Sequence, residues 1–126
     1  MKKKLSKQQL EVMKLLWNSD EPLMASDIVK LHESLNINTV QACLRVLIKA
    51  EAIEVADIVH SGTVLSRRYR PLLSKDEYFS ETYKDILGDA SRSSLIASFI
   101  SIETDISEID RLRELIDKRK AEIEGR

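Results

Sequence analysis

The strongest constraint on the fold is a pair of short, apolar-patterned stretches that only a few residues separate. The first covers residues 25–34, with apolar side chains at helical spacing at Ile28, Val29 and Leu31. The second follows Asn36, a good helix cap, and runs to about residue 50. Its apolar positions again have helical spacing: Val40, Cys43, Leu44, Leu47 and Ile48. Two short helices joined by a tight turn are typical of a helix-turn-helix motif.

The segments on either side of this pair predict a winged helix. Ser6 and Gln9 have the spacing of a capping box, and they begin an earlier helix that ends before Pro22. After residue 50 the pattern changes, because residues 53–59 are rich in branched side chains and a turn signal follows at residues 60–63. We therefore expect a mainly α fold with a small β-hairpin, in the order of a winged helix-turn-helix.

From residue 74 onward the sequence predicts a C-terminal helical region that needs a partner. Capping patterns at Ser74 and Asp105 begin two helices, and a shorter helix begins at Ser91 between them. Isoleucines fall seven residues apart at positions 102, 109, 116 and 123, which resembles a heptad seam. Three short helices cannot hide so many apolar side chains from one another. We therefore predict a winged-helix DNA-binding domain at residues 1–73 and a helical dimerisation domain at residues 74–126.

The predicted dimer contacts are the aromatic and branched side chains of this region. They are Tyr78, Phe79, Tyr83, Leu95, Phe99, Ile109, Leu112 and Ile116. The alternative is that the C-terminal helices dock onto the winged helix of the same chain.

The third helix carries the residues that we predict to read DNA. Its polar stripe lies opposite its apolar stripe and contains Asn38, Thr39, Gln41, Ala42 and Arg45. Asparagine and glutamine can bond an adenine edge at two points, arginine can do so with guanine, and alanine can contact a thymine methyl group. The alternative is an ordinary solvated helix face.

The predicted hairpin adds Arg67 and Arg68, which can neutralise phosphates or enter a minor groove. The alternative is an edge strand that carries charge to prevent sheet pairing. Residues 1–73 contain 11 Lys/Arg and 8 Asp/Glu, whereas residues 74–126 contain 9 and 13. The N-terminal part is therefore the basic one, although the whole chain has a net charge of −1.

Several classes of protein fit the sequence poorly. A single cysteine, Cys43, and two histidines cannot supply a four-ligand Cys/His metal site, so we expect no metal and no cofactor. The sequence has no Gly-rich phosphate loop and no nucleophile elbow, so we do not expect the chain to be an enzyme. We also expect no membrane span and a cytoplasmic location.

The ordered set of motifs resembles the penicillinase-repressor (BlaI/MecI/CopY-type) family of winged-helix regulators. The resemblance covers nearly the whole chain. It rests on Leu16-Trp17, Asn38-Thr39-Val40-Gln41, Tyr69-Arg70-Pro71-Leu72, Ser94-Leu95-Ile96-Ala97-Ser98-Phe99 and Glu108-Ile109-Asp110-Arg111-Leu112.

The resemblance implies a repressor that binds a dyad DNA operator as a homodimer and reads bases through Asn38, Thr39 and Gln41. In penicillinase-type members a protease pathway cuts the chain before a phenylalanine that Phe99 matches, with Ser98 here where those members have asparagine. The implied partners are double-stranded DNA, a second copy of the chain and a regulatory protease. Two alternatives remain at this stage: a ligand-sensing winged-helix regulator, and a winged-helix protein-interaction module without sequence-specific DNA binding.

Overall fold

The computed structural model describes residues 4–87 and 92–125, and the chain divides into two compact units, Met1–Ile86 and Leu87–Arg126. The first unit contains α1 (Lys7–Trp17), β1 (Leu23–Met24), α2 (Ala25–Leu31), α3 (Ile37–Lys49), β2 (Ile53–Ser61), β3 (Val64–Pro71) and nearly all of α4 (Lys75–Leu87). The second contains α5 (Arg92–Ile102) and α6 (Ile106–Glu124). The predicted mainly α fold with an N-terminal winged helix is confirmed.

Side-chain caps begin the helices at the positions that the sequence predicted. Ser6 accepts from the Gln9 backbone N–H and Gln9 reciprocates, so the capping box of α1 is complete. The Asn36 carboxamide oxygen accepts from the Thr39 N–H at 2.8 Å and fixes the first turn of α3. Ser74 and Glu77 form the same reciprocal pair at the start of α4.

The sheet has three antiparallel strands in the order β1-β3-β2, one more than the predicted hairpin. The additional strand, β1, pairs Leu23 with Tyr69 and Met24 with Arg68. The β2–β3 hairpin is the wing, and it turns between Ser61 and Val64, which face each other across the ladder. Gly62 occupies the first turn position with a φ of 66°, where a side chain would strain the backbone.

One core lies under the three N-terminal helices. Met13, Ile28 and Leu47 contribute its largest fully buried side chains, together with Ile53 at the start of the wing. Because α1, α2 and α3 each contribute a buried stripe to this core, the opposite stripe of α3 is held at the surface in a fixed orientation.

α4 is tied to the winged helix rather than separate from it. The Trp17 indole N–H donates to the Leu73 carbonyl at 2.8 Å, and the Trp17 ring lies 6.0 Å from that of Tyr78. The Leu5 backbone N–H donates to the Tyr78 hydroxyl at 3.4 Å. The first compact unit therefore extends past residue 74, where the predicted dimerisation domain begins.

The second unit has no core of its own among its described residues. α6 has no buried residue, and the last buried hydrophobic side chain along the described chain is Leu73. Asp105 caps α6 by accepting from the Ser107 N–H at 2.9 Å, and hydrogen bonding to Ser107 lowers the pKa of the Asp105 carboxyl. The predicted start of the last helix is confirmed, whereas the predicted helix start at Ser91 lies outside the described residues.

Candidate nucleic-acid interface

The exposed stripe of α3 is organised as the sequence predicted. Val40, Cys43, Leu44 and Leu47 are buried beneath it. Asn38, Gln41, Ala42 and Arg45 are exposed, and Thr39 is half-buried. Ile48, which the pattern placed on the buried stripe, lies at the surface instead.

A groove of about 760 Å³ runs between α3 and the wing. Gln41 and Arg45 line it from α3, and Arg67 lines it from β3. Its remaining walls are mostly apolar and come from β1, both helices of the helix-turn-helix and the wing: Met24, Ala25, Ile37, Leu44, Ile48, Val64, Leu65 and Tyr69. The structure therefore brings one wing arginine and two predicted α3 residues to one concave surface.

The two predicted wing arginines have different surroundings. Arg68 forms a bidentate ion pair with Asp57, in which its Nε donates to Oδ1 at 2.7 Å and its Nη2 bonds the second carboxylate oxygen. Hydrogen bonding to Arg68 lowers the pKa of Asp57 and raises that of the guanidinium. Arg67 is exposed, and within residues 4–87 and 92–125 no carboxylate lies within ion-pair distance of it.

Arg70, two residues after Arg68 on β3, also forms an ion pair across the wing. Its Nε donates to Glu54 Oε2 at 2.6 Å, and Glu54 is its direct partner in the strand register. The face of the wing away from Arg67 is therefore a ladder of opposite charges, which stabilises the hairpin and leaves little net positive charge there.

Residues 5–118 match the profile of the family described as Penicillinase repressor. The chain belongs to the penicillinase repressor family. No curated protein sequence shows significant similarity to it. The family is one of DNA-binding transcriptional regulators, so the chain is a winged-helix transcriptional regulator and not an enzyme.

Solved structures with a similar fold are distant in sequence. A mutant of MepR from a multidrug-resistant Staphylococcus aureus clinical isolate aligns with a TM-score of 0.50 at 13% identity, covering 95% of this chain and 80% of that one. The adhesin competence repressor AdcR of Streptococcus pyogenes gives 0.45 at 15% identity, covering 96% and 84%. MarR of Staphylococcus aureus in complex with salicylate and kanamycin gives 0.48 at 10%, covering 98% and 75%.

The side chains predicted to dimerise divide into three groups in this penicillinase repressor family member. Tyr78 packs against the winged-helix core, so part of its surface serves its own chain. Tyr83, Leu95, Ile109 and Leu112 are half-buried. Phe79, Phe99 and Ile116 are exposed in the single chain.

The predicted cleavage point lies within a regular helix. Ser98 and Phe99 are in the second half of α5, where the Ser98 hydroxyl donates to the Ser94 carbonyl at 3.1 Å. A protease needs an extended strand in its active site, so cleavage there would require α5 to unwind locally.

No group of three or more metal-binding side chains occurs in the part of the chain that the structure describes. Cys43 is buried on the inner side of α3, and burial raises the pKa of its thiol. None of the described helices is both long enough and apolar enough to cross a bilayer.

Proposed function

We propose that the chain is a transcriptional repressor that binds a dyad-symmetric DNA operator as a homodimer. The observation that carries the proposal is the groove shared by Gln41 and Arg45 of α3 and Arg67 of the wing. The polar stripe of α3 lies beside Arg67, which has no ion-pair partner among the described residues. This arrangement suits duplex DNA, with α3 in the major groove and the wing at the flanking backbone. Such a regulator acts where the DNA is, in the cytoplasm.

Each residue of the α3 stripe has a role in this proposal. Asn38 and Gln41 would bond adenine edges through their carboxamides, and Arg45 would bond guanine. Ala42 is small enough to let the helix approach a thymine methyl group. Thr39 would bond a base or a phosphate through its hydroxyl. Arg68 is held by Asp57 and would contact phosphate only where that ion pair opens.

The unburied apolar surface of the C-terminal helices supports the homodimer. Ile102 and Ile106 are about three-quarters exposed, and Ile116 and Ile123 are about half exposed. Exposed apolar surface of this extent is typical of a protein interface.

Simultaneous binding of two DNA half-sites by one dimer explains how the regulator would be released from DNA. Each winged helix binds one half-site, and the dimer contact gives the second winged helix a high effective concentration near its own half-site. Disrupting the dimer removes this gain. Proteolysis between Ser98 and Phe99 by a regulatory protease is one such event, because it would separate α6 from the winged helix.

The proposal is tested by selecting duplexes from a random pool with the purified chain and titrating the selected sequence against a scrambled one. We expect selective, salt-dependent binding with two chains per duplex. Arg45→Ala should weaken binding by about 1–3 kcal/mol and relax specificity at one position. Lys7→Ala, which removes an exposed cation from α1, is the matched control and should have little effect.

The dimer contact is tested by Ile116→Glu, with Lys118→Glu as the control on the same helix. Only Ile116→Glu should lower the dimer fraction in sedimentation experiments and the affinity for the full operator. Dimerisation without salt-dependent DNA binding would contradict the proposal and favour a protein-interaction module. A small molecule that raises the melting temperature and lowers DNA affinity would favour a ligand-sensing regulator.

A further inference from the structure

The tip of the wing carries exposed apolar side chains where a phosphate-binding wing would carry cations. Ile58, Val64 and Leu65 are 59%, 64% and 63% exposed. Residues 57–66 contain no lysine or arginine. The tip therefore has no lysine or arginine to pair with phosphates, and water covers three large aliphatic groups in the isolated chain.

Two of these side chains, Val64 and Leu65, are continuous with the surface that we propose to bind DNA. Val64 and Leu65 line the same groove as Gln41, Arg45 and Arg67. Leu65, Arg67 and Tyr69 lie on one face of β3, because side chains alternate along a strand. A duplex that contacts α3 and Arg67 would therefore also meet Leu65.

The length of the tip suits the depth of a minor groove. Val64 lies three residues beyond Arg67 on β3, which corresponds to about 10 Å at about 3.3 Å per residue. The minor groove of B-form DNA is about 7.5 Å deep. With Arg67 at the backbone, the tip can reach the sugar rings and the base edges.

We propose that the wing tip binds the minor groove of the operator as an apolar wedge through Val64 and Leu65. This inference rests on the proposed function, and it specifies how the wing recognises its duplex. Aliphatic side chains that enter a minor groove partly unstack a base step and bend the duplex toward the major groove. Pyrimidine–purine steps unstack most easily, so the operator should have such a step where the tip lies.

The experiment compares the wild-type chain with the double variant Val64→Ser/Leu65→Ser on the duplex that the wild-type chain selects. Affinity is measured over a series of KCl concentrations, and bending is measured by energy transfer between the labelled ends of the duplex. Leu72→Ser, at an exposed site outside the tip, is the control for loss of apolar surface. Melting temperatures equal to that of the wild-type chain show that the variants are folded. If the double variant melts at a lower temperature, the single variant Leu65→Ser is used in its place.

We expect the tip variant to lose about tenfold or more in affinity and most of the bending, with an unchanged dependence of log affinity on log salt concentration. Arg67→Ala should instead make that slope shallower by about one. A tip variant with wild-type affinity and bending, or with a shallower salt slope, would overturn the inference. Unchanged DNA binding with loss of repression in a purified transcription reaction would assign the tip to a protein contact and also overturn it. If the wild-type chain itself binds selected and scrambled duplexes equally, the proposed function fails first.

Discussion

Asp57 lies directly opposite Arg68 on the wing, and not opposite Arg67, because the register of the two strands shifts by one residue between Val55 and Asp57. Val55 pairs with Tyr69, so an unbroken ladder would place Asp57 opposite Arg67. The extra residue at this bulge, Ala56, brings the carboxylate to Arg68 instead. One inserted residue thus determines which arginine remains available for a ligand.

Replacing Asp57 by asparagine should destabilise the chain only where the carboxylate is charged. The ion pair lowers the pKa of Asp57, so the folded state favours the ionised form. Its stabilisation is complete above the ordinary aspartate pKa of about 3.9 and is lost as the pH falls through the lower value in the folded chain. The difference in unfolding free energy between wild type and Asp57→Asn, from urea titrations at fixed protein concentration, should therefore disappear at the most acidic pH values. Asp20→Asn, at an exposed site, controls for the change in net charge, and a difference that persisted at low pH would contradict the prediction.

The same substitution should strengthen DNA binding. Without Asp57, the Arg68 guanidinium is free to contact phosphate, and one more released counterion steepens the salt dependence by about 0.9. Titration of the selected duplex against Asp57→Asn at several salt concentrations measures this slope. Combining Asp57→Asn with Arg68→Ala should restore the wild-type slope, and a slope that stayed steep in the double variant would show that Arg68 is not responsible.

The substitution Glu51→Gly should stabilise the winged helix by about 1 kcal/mol. Glu51 adopts the left-handed backbone conformation, which is unfavourable for residues with a Cβ atom. Its φ is 60°, and it follows α3 in a Schellman motif. There the Ala52 N–H donates to the Leu47 carbonyl at 2.9 Å and the Glu51 N–H to the Ile48 carbonyl at 3.0 Å. Urea unfolding of Glu51→Gly and Glu51→Ala separates the effects, since alanine keeps the Cβ atom and should bring no gain.

The substitution Trp17→Phe should destabilise the first unit by about 1 kcal/mol or more, because it removes a hydrogen bond to a partly buried carbonyl. The Trp17 N–H is the donor to Leu73 and helps to tie the segment before α4 to α1. Circular dichroism follows the unfolding, because the variant lacks the only tryptophan. Lys14→Ala, at an exposed position on the same helix, should change stability far less. Equal losses in both variants would mean that this hydrogen bond contributes little.

Local signals predicted the parts of the fold that local interactions determine. Ser6, Asn36 and Ser74 each cap the helix that they were expected to begin, because a capping side chain bonds a backbone amide two or three residues away. The hairpin turn was also predictable from the glycine between two branched stretches. These elements needed no knowledge of distant contacts.

The features that depend on distant pairing were not predictable in this way. β1 has only two residues, and its partner strand lies more than forty residues later, so no periodicity could reveal it. No pattern in the sequence separates Arg67 from Arg68 either, because a bulge is defined by the facing strand. For the α3 stripe, the sequence predicted which residues are exposed, and the groove that they share with the wing required the folded chain.

The missing core of the second unit has a consequence for the amount of active repressor. Among the described residues, α5 and α6 have only exposed and half-buried side chains, so in the proposed dimer most of their stability would come from association and their folding would follow mass action. A newly made chain without a partner would carry a frayed tail that cellular proteases can attack, whereas paired chains would be protected. Proteolysis would then remove unpaired chains preferentially. The concentration of dimeric repressor would therefore rise more steeply with the rate of synthesis than the concentration of a monomeric protein would.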